Sequence, residues 1–317
     1  MITLTPNEVK QRFGQLFSQK FLVMVDESSG RVEIIEQCKA RGTVEWDAMN
    51  RRRAGGATSG CSVEGTTMVL SAKIGKYPVN FGAASDDIGG QALESVETFG
   101  DEVITSWSGI AGAGVGVAAC LPQALGVTRA EYPSEDDLRV GGARTNRVRI
   151  TSPRYEKLCI GIDDTDTKTE GATWVMALKC ADCCKDEGVE FLNMRLVQLN
   201  PAVPQKTTNC VSSCLNFAVR PDKIDGLLAS VKAFVEKNTF SSDTGIAYFR
   251  GIGVFGTSFL DSFKKDILSL DSAETMANEL GIKFIDENRR KGRIGALGAV
   301  LWGNCGTEAA GLYGEHL

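Results

Sequence analysis

Between residues 158 and 249 the apolar pattern alternates between strand and helix periods in a fixed order, and no other feature of the chain constrains its fold as much. Residues 158–162 are a short apolar run of strand type. Residues 171–186 carry apolar side chains on most faces of a helix: Trp174, Val175, Leu178 and Ala181 on one side, Met176, Cys180 and Cys183 on the other. This helix is expected to be well buried. Strand-like runs follow at 191–199 and 210–219. A second helix is predicted over 223–237, with Ile224, Leu227, Leu228, Val231, Phe234 and Val235 as its core stripe and Asp222 as its cap. A strand at 245–249 closes the unit. The order βαββαβ predicts a ferredoxin-like arrangement. Further helices are expected near 257–269, 271–280 and 288–302.

The first half reads differently. A short amphipathic lead-in places Phe13, Leu16 and Phe17 on one helical stripe. Residues 21–25 and 31–38, joined by Glu27-Ser28-Ser29-Gly30, form a predicted hairpin. More β-like runs occur at 66–74, 95–99 and 103–107. GIAGAGVG at 109–116 lacks the βαβ context of a dinucleotide loop, so tight backbone packing explains it as well as phosphate binding does. Residues 133–142 read as an exposed linker, and 147–150 as a strand. The boundary is placed near 150. The expected class is therefore α+β: a mainly β domain of unassigned role at 1–150, then a ferredoxin-like unit with extra C-terminal helices at 151–317.

Directly after the first strand of that unit comes IGIDDTD, with Asp163, Asp164 and Asp166 inside four positions. Crowded carboxylates repel unless a cation or hydrogen-bond donors offset the charge. Mg²⁺ suits such a turn, because it takes one or two carboxylates and completes its shell with water and phosphate oxygens. A loop at 200–209 adds Asn200, Lys206, Thr207 and Asn209, and Pro201 and Pro204 stiffen it. A lysine among hydroxyl and amide groups is suited to phosphate. Asp243, Thr244 and Gly245 precede the last strand, and Gly292, Gly295 and Gly298 recur every three residues in GRIGALGAV, where helix packing explains them at least as well as phosphate contact.

Composition narrows the function classes. The single histidine, His316, excludes a histidine-based triad or a histidine general base. Ten cysteines with no secretory signal point to reduced thiols in a cytoplasmic protein. A zinc or iron–sulfur site built from Cys180, Cys183, Cys184, Cys210 and Cys214 is conceivable, but buried small hydrophobes explain them better. No segment is long and apolar enough for a membrane span. A net charge of −5 argues against a large nonspecific nucleic-acid surface, and a nucleic-acid partner is not expected, although the charge leaves room for a local basic groove. The basic clusters Arg51-Arg52-Arg53 and Arg289-Arg290-Lys291 with Arg293 are expected to be solvated faces.

Taken in order, IGIDDTD, QLNPAVPQKT-N, DTGIA and RIGALGAV resemble the kinase-type domain of archaeal isoleucine-tRNA agmatinylcytidine synthetase over about residues 156–302. In that family IGIDDTD opens the ATP- and Mg²⁺-binding site, and a following threonine is implicated in phosphate transfer. This chain shows no evident zinc ribbon or OB-fold after the domain and carries about 150 further residues before it. It also reads DDTDTKTEGATW, one residue longer before the glycine, with Thr173 as the candidate for the family threonine. GRVEIIE, SGIAGAGVG and IDDTDTKTEGATW further resemble the methanogenesis marker protein 11 family.

The resemblance implies an ATP- and Mg²⁺-dependent phosphoryl- or nucleotidyl-transfer enzyme linked to methanogenesis in archaea, with an unknown acceptor. Asp163, Asp164 and Asp166 are the expected metal ligands and, with Thr173, the catalytic candidates. Thr165, Asn200, Lys206, Thr207, Asn209 and Gly245 are the expected nucleotide contacts. The alternatives are a nucleotide-binding assembly or maturation factor for a methanogenesis enzyme and, ranked below both, a tRNA-modifying enzyme.

Overall fold

The computed structural model describes residues 1–81 and 90–315; His316 lies outside them. The chain is mixed α/β and divides into two compact units, Met1–Tyr155 and Glu156–Leu317.

In the first unit β1 (Ile2–Leu4) leads into α1 (Pro6–Phe13). Thr5 caps that helix: its hydroxyl accepts from Glu8 N at 3.3 Å, while the Glu8 carboxylate accepts from Thr5 N at 2.7 Å. The helix stops at Phe13, since Gly14 takes φ 76°, so Leu16 and Phe17 fall outside the predicted stripe and Phe17 is exposed. Next come the hairpin β2 (Ser18–Asp26) and β3 (Arg31–Cys38), then α2 (Arg41–Ala54), β4 (Thr58–Glu64), β5 (Thr67–Lys73) and β6 (Gly75–Lys76). β7 (Gly90–Phe99) and β8 (Glu102–Ile110) form a second hairpin. α3 (Gly112–Val115) continues through a π-helical turn, Gly116–Cys120, into a 3-10 turn, Leu121–Gln123. β9 (Arg129–Tyr132) and the long strand β10 (Thr145–Asp163) complete it, giving the order β4-β5-β3-β2-β10-β8-β7-β6 with β9 between β1 and β10.

Alternation on these strands buries Phe21, Val23, Ile34, Leu70, Trp107 and Ile150 in one core. The segment expected to be a linker is part of this unit instead. Ser134 caps the 3-10 turn Glu135–Leu138; Asp137 accepts from the Ser134 hydroxyl at 2.7 Å and from Arg147 N at 2.8 Å, and Asn146 donates to the carbonyls of Asp137 and Arg139. In the first basic cluster Arg52 and Arg53 are exposed as expected, but Arg51 is not part of a solvated face. Arg51 is fully buried because β3 turns Glu36 inward beneath α2; the guanidinium grips both oxygens of Glu36, the second at 2.9 Å, and lies over Trp107.

The second unit begins with residues 156–163 of β10. It continues through α4 (Thr173–Cys183), β11 (Val189–Gln198), β12 (Val211–Val219), α5 (Ile224–Asn238) and β13 (Gly245–Arg250). α6 (Thr257–Lys265), α7 (Leu270–Leu280), β14 (Lys283–Phe284) and α8 (Gly292–Trp302) follow. The strands run in the order β11-β12-β10-β13-β14, every neighbouring pair antiparallel. β10 separates two cores by alternation. Leu158, Ile160 and Ile162 face α4 and α5, while Cys159 packs with α6, α7 and α8.

Two local expectations fail here. Trp174 and Leu178 are exposed, since α4 buries only Thr173, Met176, Ala177, Cys180 and Ala181. Asp222 does not cap α5; it lies in a 3-10 turn, Pro221–Lys223, that precedes the helix. Among the described residues no helix is long and apolar enough to cross a membrane.

Candidate functional site

The acidic turn is built by local backbone demands. Asp164 takes φ 52°, a left-handed conformation that aspartate tolerates better than most residues. Its carbonyl accepts from the buried Thr244 hydroxyl at 2.9 Å. Thr165 is tied on both sides: its N–H and hydroxyl donate to Thr173 Oγ1 at 3.2 and 3.0 Å, and its carbonyl accepts from Phe240 N at 2.9 Å. Gly171, at φ 87°, returns the chain to α4, where a side chain would meet Phe240 and Asp166.

This turn, the 199–211 loop, 266–270 and the start of α8 enclose a cavity of about 690 Å³, within the range of small-ligand sites. Asp163, Asp164, Asp166 and Thr173 line it, as do Asn200, Lys206, Thr207 and Asn209. Thr165 is buried behind the turn and Gly245 packs against Gly292 at the start of α8; neither is on the wall.

Asp163 and Asp164 behave as a pair. Burial and the neighbouring Asp164 push the Asp163 carboxyl well above its ordinary range, while burial, with Asp243 and Asp166, raises Asp164 to about 6 despite the pull of Lys291. Asp166 stands apart, its Oδ1 accepting from Thr173 at 3.3 Å and Thr207 at 3.4 Å. Among the described residues no three histidine, cysteine or acidic side chains converge as a full metal-ligand set, so neither the aspartate triplet nor the cysteines form one. Two carboxylates are what Mg²⁺ usually takes from a protein beside phosphates. The Asp163 carboxylate also sits where a Cβ on Gly295 would go, a cradle only glycine leaves open.

Lys206 bonds back to the Pro201 carbonyl. Asn200 shapes the loop: its amide donates to Asp266 O at 3.0 Å and its oxygen accepts from Ala202 N at 2.9 Å. Lys291 and Trp174 are lining residues that the sequence reading missed. Lys291 was hidden in a basic cluster of which two members form ion pairs, Arg289 with Asp271 and Glu274, Arg293 with Glu274 and Asp286. Trp174 was placed in the core; an aromatic residue directly after the turn was its available signal.

Comparison with known proteins fits this division. Over 284 residues the chain is 32% identical to the uncharacterized protein MJ0921 of Methanocaldococcus jannaschii, covering 88% of this chain and 91% of that one. The chain belongs to the same family. Residues 159–288 match the TiaS TCKD domain. The C-terminal half is homologous to tRNA(Ile2) 2-agmatinylcytidine synthetase TiaS: the Methanosarcina acetivorans enzyme is 31% identical over 151 residues, 45% of this chain and 35% of that one. This chain thus spans about a third of the length of the synthetase it matches. A solved TiaS–tRNA(Ile2)–ATP complex aligns with a TM-score of 0.40 at 24% identity, covering 46% of this chain and 36% of that one. A complex with AMPCPP and agmatine gives 0.40 at 25%.

These relatives overturn one expectation. Net charge argued against a nucleic-acid partner, yet the enzymes homologous to the C-terminal half act on tRNA. A whole-chain sum of charges does not report on a local surface, which is where phosphate contacts are made.

Proposed function

We propose that this protein uses ATP and Mg²⁺ to activate or phosphorylate an acceptor at the 690 Å³ cavity, with RNA the first acceptor to test. The observation that carries the reading is the convergence of the acidic turn, the 200–209 loop and the start of α8 on one cavity inside the TiaS-homologous region. Residues 151–317 are read as a kinase-like ATP-binding domain, and the order β13-β10-β12-β11 as its ferredoxin-like unit.

Asp163 and Asp164 would hold Mg²⁺, which supplies neutralisation of phosphate charge when bound. Phosphoryl transfer rests on positioning and charge more than on a strong base, consistent with a site lacking histidine. Thr173 Oγ1 receives two donors from Thr165 and gives its own proton to Asp166, so Asp166 orients that hydroxyl. Lys291 and Lys206 supply positive charge at the cavity, and Thr207 and Asn209 polar groups; Asn200 holds the loop. Trp174 offers an exposed ring at the rim for stacking on a base. The resemblance to methanogenesis marker protein 11 belongs to this reading, with a full-length relative in Methanocaldococcus jannaschii.

The test is MgATP turnover by the full chain, with and without archaeal total tRNA, products resolved into ADP and AMP. Asp163→Asn is expected to abolish turnover with the fold intact; unchanged turnover would sink the assignment. A second reading, a nucleotide-binding assembly factor for a methanogenesis enzyme, draws on one observation. Lys206 and Thr173 are both engaged within the protein, so neither stands free to act on an acceptor. ATP binding without turnover under every acceptor condition would favour it.

A further inference from the structure

The first unit has a cavity of its own, about 480 Å³, that the proposed chemistry does not use. Its wall joins α2, the β2–β3 hairpin and the glycine segment after β8. Two glycines of GIAGAGVG are packing residues: a Cβ on Gly109 would meet Ala113 O at 2.7 Å, and one on Gly114 would meet Asn146. Gly112 and Gly116 have nothing within 4 Å of that position, and both line the cavity. Gly116 opens the π-helical turn, a distortion that recurs at functional sites.

The polar end of the cavity is a chain of side chains with fixed polarity. Arg51 donates to Glu36 and also to Gln91 Oε1, at 3.1 and 3.0 Å. With its oxygen held, Gln91 can only offer its amide N–H, and it donates to Asp47 Oδ1. Asp47 Oδ2 makes no hydrogen bond among the described residues, and Asp47 is on the cavity wall. Burial acts most on the Asp47 carboxyl and raises it to about 6, while Arg51 pulls it down and Glu36 pushes it up, so it is ionised at pH 7.5. Arg51 itself is fully buried and already committed, and Lys20, a basic lining residue, has an interaction of its own. The remaining wall is apolar and aromatic, with Phe17, Val44, Trp46 and Met68.

We propose that this cavity binds a small organic ammonium ion on an apolar stem, with Asp47 as its counter-ion. The Asp47 oxygen that no described residue engages is open to a charged N–H from a ligand. Trp46 and Phe17 put aromatic side chains on the wall, and an aromatic ring attracts a cation. Val44 and Met68 take the stem. An anion finds no free partner here, and a neutral apolar molecule leaves Asp47 Oδ2 without a donor.

The test is isothermal titration of the full chain at pH 7.5 with n-hexylammonium and 2-phenylethylammonium, each against its neutral alcohol. Both ammonium ions are expected to bind about tenfold more tightly than the alcohols. Asp47→Asn, which can still accept from Gln91, should erase that preference. Gly116→Leu fills the cavity from an unstrained helical position and should abolish binding of all four probes. Circular dichroism checks that both variants fold. Equal binding of ammonium and alcohol, a preference that survives Asp47→Asn, binding that survives Gly116→Leu, or no binding of either ammonium ion would each overturn the proposal.

Discussion

Gly295→Ala places one methyl group against the Asp163 carboxyl. A Cβ there would lie 2.5 Å from Asp163 Cγ and 3.1 Å from its Cβ. Carbon pairs rest at about 3.5–4.0 Å, and Asp163 Oδ2 lies nearer still than either carbon, so the carboxyl or the helix must move by more than about 1 Å. α8 is confined by Ala296, Leu297, Ala299 and Val300, all fully buried, so the carboxyl moves first. Overpacking of this kind costs about 1–3 kcal/mol, and replacing a helical glycine by alanine returns about 1 kcal/mol. The net expectation is a loss of about 0–2 kcal/mol with MgATP turnover reduced at least as much as a misplaced catalytic group allows, about a hundredfold. Gly303→Ala is the control. Its Cβ would press on the Cys214 side chain and meet Ala299 O at 3.1 Å, neither of them on the cavity wall, so it should cost comparable stability and spare turnover. Urea denaturation and ATPase rates on both variants decide the matter. Turnover lost equally in the two, or kept in Gly295→Ala, would refute the argument that this glycine exists to seat the carboxylate.

Other outcomes follow from the same geometry. Arg51→Met strands the buried Glu36 carboxylate and should cost about 3–5 kcal/mol in urea melts, whereas Arg51→Met with Glu36→Leu should recover much of that. Burial raises Asp47 from 3.8 to about 6, so the folded state holds its proton more tightly than the unfolded chain. Stability should therefore fall as pH rises from about 4 through 6, by at most about 3 kcal/mol and less where water screens the group. Asp47→Asn should remove Asp47's share of that fall and leave the share that Asp163 and Asp164 contribute with the same sign, measured by melts of both proteins at pH 4 and 7.5. Trp174→Ala, at an exposed position, should change stability by no more than about 0.5 kcal/mol but weaken ATP binding in a calorimeter.

The order of elements from β10 to β13 was legible because strand and helix periods differ sharply and each run is bounded by Gly, Pro or Asp. The acidic turn was legible as a cluster, but its division was not. That Asp163 pairs with Asp164 while Asp166 turns to Thr173 and Thr207 depends on a hydrogen-bond partner 41 residues away. Arg51 could not be read as buried, because its partners Glu36 and Gln91 lie 15 and 40 residues off and meet it only through strand register. Trp174 was misplaced because an apolar residue on an amphipathic helix is indistinguishable by pattern from one at a cavity rim. The glycines of α8 were visible as a period of three, but nothing local says that one of them faces a carboxylate.

The meeting of α8 with the sheet has no side-chain spacer at two points, Gly161 against Ala296 and Gly245 against Gly292, and at a third Gly295 lets the Asp163 carboxylate reach the helix backbone. Where side chains space two elements, a helix can slide or rotate slightly and the chains rearrange. Here backbone is set on backbone, so α8 is indexed to β10 and β13 like a key in a wards lock. A slip of one residue would bring Ile294 or Ala296 opposite Asp163, and either Cβ would occupy the carboxylate's place. Changes in length are therefore expected to be tolerated in the exposed 167–170 segment of the turn and excluded between Gly292 and Gly298, where the helix serves as the ruler against which the site is measured.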